Sequence, residues 1–259
     1  MNPDPWQSLK KFTSARIAIG RAGTSIPLQE TLAFRLAHAH ARDAVYSALN
    51  YDVLRSGLAG LRVPVLEVQS RAANRHVYLQ RPDLGRLPDE ASQQALLQQS
   101  APGDICIVLA DGLSADAVNR HALPLLRILL PLFASAGYSL LPVCIAAQAR
   151  VAIADPIAAT LGARLSLILI GERPGLSAAD SMGAYLTYEP RPGRTDESRN
   201  CISNIRPEGL PYQPAAEKIF YLVQQVFLRR LSGIQVKDDS GEMALNQDLR
   251  DLKIKGLGG

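Results

Sequence analysis

Three polar stretches each directly follow an apolar run, and they hold the residue types with which this chain could do chemistry: Asp111-Gly-Leu-Ser114, Gln148 to Val151, and Gly171-Glu-Arg-Pro-Gly-Leu176. The first offers a carboxylate, a flexible glycine and a hydroxyl. That set suits a ribose or phosphate beside a helix N-terminus, and it equally suits an ordinary helix cap by Ser114. Glu172 closes the most apolar run, Leu165-Ser-Leu-Ile-Leu-Ile170, where a carboxylate is costly to bury without a hydrogen-bond partner. Arg173 beside it is an obvious mate, so the pair reads either as a strand-end ion pair or as part of a site. Cys201-Ile-Ser-Asn-Ile205 joins a thiol, a hydroxyl and an amide in a loop expected to enter the last helix. A lone cysteine in such a place is most often a small buried hydrophobe.

The remaining candidates do not complete a self-contained catalyst. His38 and His40 fall on opposite sides of one expected helix, His76 in an expected strand and His121 in a long helix. None is next in sequence to a Ser or Cys nucleophile with an orienting acid. There is no P-loop, and Gly20 and Gly23 do not follow a strand in the G-x-G-x-x-G pattern, so a stand-alone nucleotide-binding enzyme using Asp111 and Glu172 lacks its fingerprint. Cys106, Cys144 and Cys201 form no CxxC pair and no metal-ligand cluster with histidine, so no metal site is assigned. The net charge of +4 is modest and dispersed and aromatics make up 5%, a poor footprint for nucleic acid. No uninterrupted apolar stretch reaches roughly 18 residues. The longest candidate, Leu123 to Ala134, is cut by Arg127 and Pro131, and the N-terminus lacks a signal pattern. These features predict a reduced, cytoplasmic protein that neither spans a membrane nor binds nucleic acid.

Strand ends become a site only in a parallel sheet, and the texture from Leu87 onward predicts one. Helix Pro88–Gln99, strand Asp104–Ala110, helix Ala115–Ser135, strand Ser139–Ala146, helix Ala154–Leu161 and strand Arg164–Ile170 alternate in the manner of a sheet wound by crossover helices. Nearly continuous apolar strands fit parallel neighbours covered on both faces. A short strand at Tyr185–Tyr188, an irregular stretch from Glu189 to Ile205 and a helix Pro214–Leu231 follow. Ahead of the series, Gly20-Arg-Ala-Gly23 with Thr24 and Ser25 reads as a turn with capping residues before an amphipathic helix Gln29–Ser47. A second helix from Tyr51, strands Val63–Val68 and His76–Leu79, and the loop Arg81–Arg86 come next. The expected class is therefore α/β, a Rossmann-like, doubly wound, mostly parallel sheet with a small N-terminal helical region. The expected organisation is residues 1–86, then 87–234, then a weakly ordered tail 235–259.

Gly20-Arg-Ala-Gly23, Arg81-Pro-Asp-Leu-Gly-Arg86, Asp111-Gly-Leu-Ser114, Gly171-Glu-Arg-Pro-Gly-Leu176 and Cys201-Ile-Ser-Asn-Ile205, taken in order, resemble the small subunit of the adenosylcobalamin-dependent ethanolamine ammonia-lyase family. The match runs from about Trp6 to Ile234. It implies an enzyme that converts ethanolamine to acetaldehyde and ammonia by radical chemistry. A TIM-barrel large subunit would carry the catalytic residues and this chain, with none of its own, would cover the corrinoid as part of a hetero-oligomer. The family's corrinoid-binding positions fall on Val151, Glu172 and Cys201. No Asp-x-His-x-x-Gly motif is present, so the resemblance implies that cobalt keeps the cofactor's own benzimidazole. Some members carry a longer leader linked to targeting into a bacterial microcompartment; the N-terminus here is short, and the tail from Gly233 extends past the usual end. The helix around Leu32 to Val45 and the loop Arg81 to Arg86 are expected to contact the large subunit, because both are expected to lie outside the wound sheet.

Overall fold

The structure, a computed structural model, describes residues 4, 6–13 and 15–238; the expected tail from 239 onward lies outside the described residues. Six strands form one sheet: β1 (Val65–Gln69), β2 (Gly103–Ala110), β3 (Val143–Ala147), β4 (Ala163–Gly171), β5 (Met182–Tyr188) and β6 (Asn200–Ile205), in the spatial order β1-β3-β2-β4-β5-β6. The pairings among β1, β3, β2 and β4 are parallel, and β5 and β6 add antiparallel strands at one side. The helices are α1 (Leu28–Val45), α2 (Tyr51–Gly60), α3 (Arg75–Gln80), α4 (Glu90–Gln98), α5 (Ala115–Ser135), α6 (Ala154–Leu161) and α7 (Tyr212–Arg229). None is long and apolar enough to cross a membrane.

Side chains alternate across each strand, and both faces of the central strands β2 and β4 are covered. Ile105, Ile107 and Leu109 of β2 join Leu165, Leu167 and Leu169 of β4 in a core closed by α2, α5 and α7. Cys106, Val108 and Ala110 point the other way, into a core closed by α4 and α6. The β2-to-β3 and β3-to-β4 crossovers run in opposite directions across the sheet, so crossovers of one hand place α5 and α6 on opposite faces. Gly112 sits at φ +55°, where a Cβ would overlap the Gly171 carbonyl, and a Cβ on Gly171 would overlap the Ser114 carbonyl. Glycine at both positions lets the ends of β2 and β4 close together, and Leu113 N–H donates to Gly171 O at 3.0 Å.

Several expectations are revised. His76–Leu79 is helical, within α3: the Asn74 side chain accepts from Val77 N at 3.0 Å and caps it, and fully buried Tyr78 anchors it. Cys201–Ile205 is not a loop but most of β6, paired with β5. The strand expected at Val63–Val68 is β1, and its parallel pairing with β3 carries the sheet into residues before 87. Only Val143–Ala147 of the third strand pairs regularly, since Pro142 precedes it and Leu140 makes an isolated bridge to Ile105. Ser25 and Thr24 do not cap α1; the residue at its N-cap is Pro27, with no side-chain hydrogen bond. Nor does Ser114 cap α5: its hydroxyl donates to Ala179 O at 2.9 Å, tying the β4 exit to the start of that helix.

Candidate functional site

β2 and β4 are neighbours whose chains leave in opposite directions across the sheet, the arrangement that opens a crevice at the carboxyl ends of parallel strands. A cleft of about 420 Å³ lies there, walled by Tyr78, Gly112, Arg150, Val151, Glu172 and Tyr185. A second cleft of about 630 Å³ adjoins it, sharing Arg150, Val151 and Tyr185 and continuing to Arg86, Arg194 and Thr195. A larger cleft of about 820 Å³ between α4 and α6 lies away from these strand ends, and no buried unpartnered polar atom lines it. The paired clefts are different: Arg150 Nε, Arg194 Nε and, next to Ala149 in the same exit loop, Gln148 Oε1 are buried with no hydrogen-bond partner among the described residues. Buried polar groups are almost always satisfied, so such orphans point to a ligand or partner that completes them.

The floor is a stack built by three distant segments. Two guanidinium groups lie over the Tyr78 ring, Arg75 at 4.7 Å and Arg150 at 4.1 Å from its centre. Its hydroxyl donates to Ala149 O at 3.2 Å, and burial pushes the phenol up to about 12. Asp111, also buried, accepts from Gln148 N and Ala149 N, both at 2.8 Å, and faces Arg75 at 3.5 Å. Its carboxylate is thus taken up in holding the β3 exit loop against the end of β2. That loop places Val151 at the head of a 3-10 turn, Val151–Ile153, against the clefts.

Glu172 stands at the β4 exit. Its Oε2 accepts from the Ser181 hydroxyl and from Asn204 N at 3.1 Å, so the mates are Ser181 and Asn204 instead of Arg173. Gly183 opposite lies so close that a Cβ would sit 3.1 Å from Glu172 Oε1. Cys201 is exposed on β6, in register with Tyr185 of β5, and its thiol lies 3.4 Å from the Ser203 hydroxyl. Burial first, then the neighbouring Cys201 and Glu172, raise the Tyr185 phenol above its ordinary value. The structure therefore brings Val151 and Glu172 to one cleft and sets Cys201 beside the Tyr185 that walls it. Arg150 lies within the strand-end stretch Gln148 to Val151 that the sequence pointed to; Tyr185, Tyr78 and Arg194 were missed, and of these only Tyr185 carried a readable signal, its alternation with Ala184 and Leu186 on a short strand.

Two buried assemblies hold the rim. Arg199 forms a bidentate pair with Asp155 of α6 at 2.8 and 2.7 Å, and also donates to Thr187 Oγ1 at 3.0 Å and Arg194 O at 3.0 Å. The loop bearing Arg194 is clamped to the sheet by this one guanidinium. At the other side Asp180, on the loop after Glu172, faces Arg120 at 3.5 Å, Arg206 at 3.5 Å and buried His121 at 3.6 Å. His121 Nδ1 is 2.8 Å from the Tyr212 hydroxyl. Burial lowers the His121 value below 6.5, and Asp180 only partly opposes it. The unfolded chain therefore takes up this proton at a higher pH than the folded one. Stability is complete above the ordinary imidazole value and declines as pH falls through the lowered folded value. Urea midpoints measured from about pH 8 to pH 5 should fall toward acid in the wild type, and His121→Gln should remove that component. An identical slope in the two proteins would refute the assignment.

Among the described residues no group of three or more His, Cys, Asp or Glu could hold a metal ion. The family model described as ethanolamine ammonia-lyase light chain matches residues 3–237. The chain is 52% identical over 241 residues to the ethanolamine ammonia-lyase small subunit of Azotobacter vinelandii, covering 92% of this chain and 89% of that protein. It is 50% identical over 247 residues to the small subunit of Pseudomonas aeruginosa, covering 94% and 90%. Against that of Xanthomonas campestris it is 51% identical over 249 residues, covering 95% and 92%.

Proposed function

The chain belongs to the ethanolamine ammonia-lyase light-chain family, and from that premise we propose that it is the small subunit of an adenosylcobalamin-dependent enzyme. Joined to a large subunit in a cytoplasmic hetero-oligomer, it would convert ethanolamine to acetaldehyde and ammonia. The observation that carries this reading is an open pair of strand-end clefts lined by buried, unpartnered hydrogen-bonding groups and by no Ser or Cys nucleophile with a histidine base. Such a surface is suited to bind and orient a ligand.

The residues fit a corrinoid, whose rim is a ring of amide arms around an apolar macrocycle. When bound, the cofactor supplies a cobalt–carbon bond whose homolysis starts radical chemistry. Glu172 has an oxygen, Oε1, beyond its internal bonds and can accept an amide N–H. Val151 offers apolar contact, and exposed Cys201 can pack or donate weakly at the sheet edge. A stand-alone nucleotide enzyme is less well supported, because both Asp111 oxygens are already held by backbone N–H groups.

For the large subunit we propose the outer face of α1. Leu28, Leu32 and Leu36 follow one another at four-residue spacing and are 73%, 54% and 58% exposed, while only Ala44 of that helix is buried. An apolar stripe of this kind marks a protein contact. The loop Arg81–Arg86 is a second contact in this proposal, presenting Arg81 already paired to Asp83 at 2.7 Å.

Glu172→Gln tests the corrinoid contact directly. In the assembled complex it should weaken corrinoid affinity about tenfold, as loss of a charge-assisted hydrogen bond does, with the thermal midpoint of the chain nearly unchanged. Unchanged affinity would count against the proposal.

A further inference from the structure

We infer that the cleft between Arg150 and Arg194 is an anion subsite, built to take a phosphodiester. This inference rests on the corrinoid reading and deepens it: the phosphodiester is the one in the cofactor's nucleotide tail.

The site is defined by donors that no described residue uses. Arg150 Nε and Arg194 Nε are both buried without partners, and both side chains wall the same cleft of about 630 Å³. Each guanidinium is held by other contacts that leave Nε over. Arg150 donates through Nη2 to Tyr78 O at 3.2 Å and stacks on the Tyr78 ring; Arg194 donates through Nη2 to Glu189 O at 3.3 Å. The Arg194 backbone is fixed in turn by Arg199. Two guanidinium groups immobilised from behind, each with a buried N–H left over, recognise a tetrahedral oxyanion better than any neutral group. Arg86, also lining the cleft, makes no ion pair among the described residues and adds a third positive charge.

Two carboxylates share the rim, and each has a partner elsewhere. Asp196 faces Arg199 Nε at 3.4 Å, and a hydrogen bond from Thr195 holds the Glu197 carboxyl below its usual value. The clefts meet at Arg150, Val151 and Tyr185, so a ligand whose amide rim reaches Glu172 in one can extend a charged tail into the other.

The test uses the complex of both subunits and two corrinoids, cyanocobalamin and dicyanocobinamide, the second of which lacks the phosphodiester tail. Arg194→Gln and Arg150→Gln should each weaken cyanocobalamin binding about ten- to hundredfold while leaving cobinamide affinity within about twofold. Arg194→Lys, which keeps the charge without the fork, should lie between. Arg194 carries no packing role comparable to the Tyr78 stack, so its variants answer the question even if Arg150→Gln disturbs the fold. Equal loss for both corrinoids, or loss for neither, overturns the subsite. Glu172→Gln separates the levels: if it weakens both corrinoids while the arginine variants weaken neither, only the subsite falls. If no variant weakens either corrinoid, the corrinoid reading falls with it. Inorganic phosphate distinguishes the other source of such an anion. Phosphate that competes with cyanocobalamin and not with cobinamide supports the tail assignment; phosphate that binds alongside cyanocobalamin overturns it.

Discussion

Asp155→Ala should lower the unfolding free energy by about 3–5 kcal/mol, the cost of leaving a buried cation without its mate. Asp155 and Arg199 side chains are 1% and 2% exposed, and both carboxylate oxygens are engaged. Removing the carboxylate leaves Arg199 charged in a dry site, with Thr187, the Arg194 carbonyl and the exposed Asp196 carboxylate, 3.4 Å from Nε, as its remaining acceptors. Two consequences are separable. The urea midpoint drops sharply, and the loop that carries Arg194 loosens, so corrinoid affinity of the assembled complex falls with it. Replacing both partners, with Arg199→Met added to Asp155→Ala, should recover more than half of the lost stability, because an apolar pair removes the orphaned charge. A single-variant loss below about 1 kcal/mol would show that water reaches this pair and that the clamp is weak.

Asp111→Asn carries the second large effect. The two backbone donors at Gln148 and Ala149 converge on one carboxylate, and an amide can accept from only one of them while presenting its own N–H₂ to the other. The buried group left unsatisfied costs about 1–3 kcal/mol. Gln148 holds a positive φ of 51°, and these two bonds share the holding of the loop with Ser70 Oγ to Gln148 O at 2.6 Å, the Tyr78 hydroxyl to Ala149 O at 3.2 Å and Arg150 N to Gly85 O at 2.8 Å. Val151 and Arg150 move with it, and corrinoid affinity should drop further than in Glu172→Gln. Burial raises the Asp111 value above 3.8, with the two backbone donors and Arg75 opposing the rise. The folded state therefore holds this proton to higher pH than the unfolded one. The stability advantage of the wild type over Asp111→Asn should narrow as pH climbs from the ordinary carboxylate value through the raised one. Paired urea titrations across that window check both the size and the sign.

How much of this was legible in the chain depends on the distance over which each feature is decided. β2, α5, α6 and β4 were readable because their burial is written locally: Ile105 to Leu109 and Leu165 to Ile170 are apolar on both faces, and Gly162 at φ 87° ends α6 where the pattern stops. Segment His76–Leu79 misled because Val77 and Leu79 alternate like a strand, while the Asn74 cap and the Tyr78 anchor decide for a helix. Cys201 read as loop because β6 is a short edge strand whose outward positions are polar. The motif positions after β2, β3 and β4 did converge, as strand ends in a parallel sheet must. Their partners did not follow from spacing: Arg199 meets Asp155 across 44 residues, and Arg150 meets Tyr78 across 72. Glu172 looked paired with Arg173, yet its carboxylate bonds to Ser181 and Asn204, which the chain returns to it from 9 and 32 residues away.

The most direct test of the central claim is corrinoid retention, with ethanolamine deamination followed in parallel, for this chain alone, for a cognate large subunit alone and for the two mixed. A site shared between subunits predicts tight adenosylcobalamin retention and turnover only in the mixture. Turnover by this chain alone, or cobalamin retention by the large subunit that is indifferent to its presence, would contradict it.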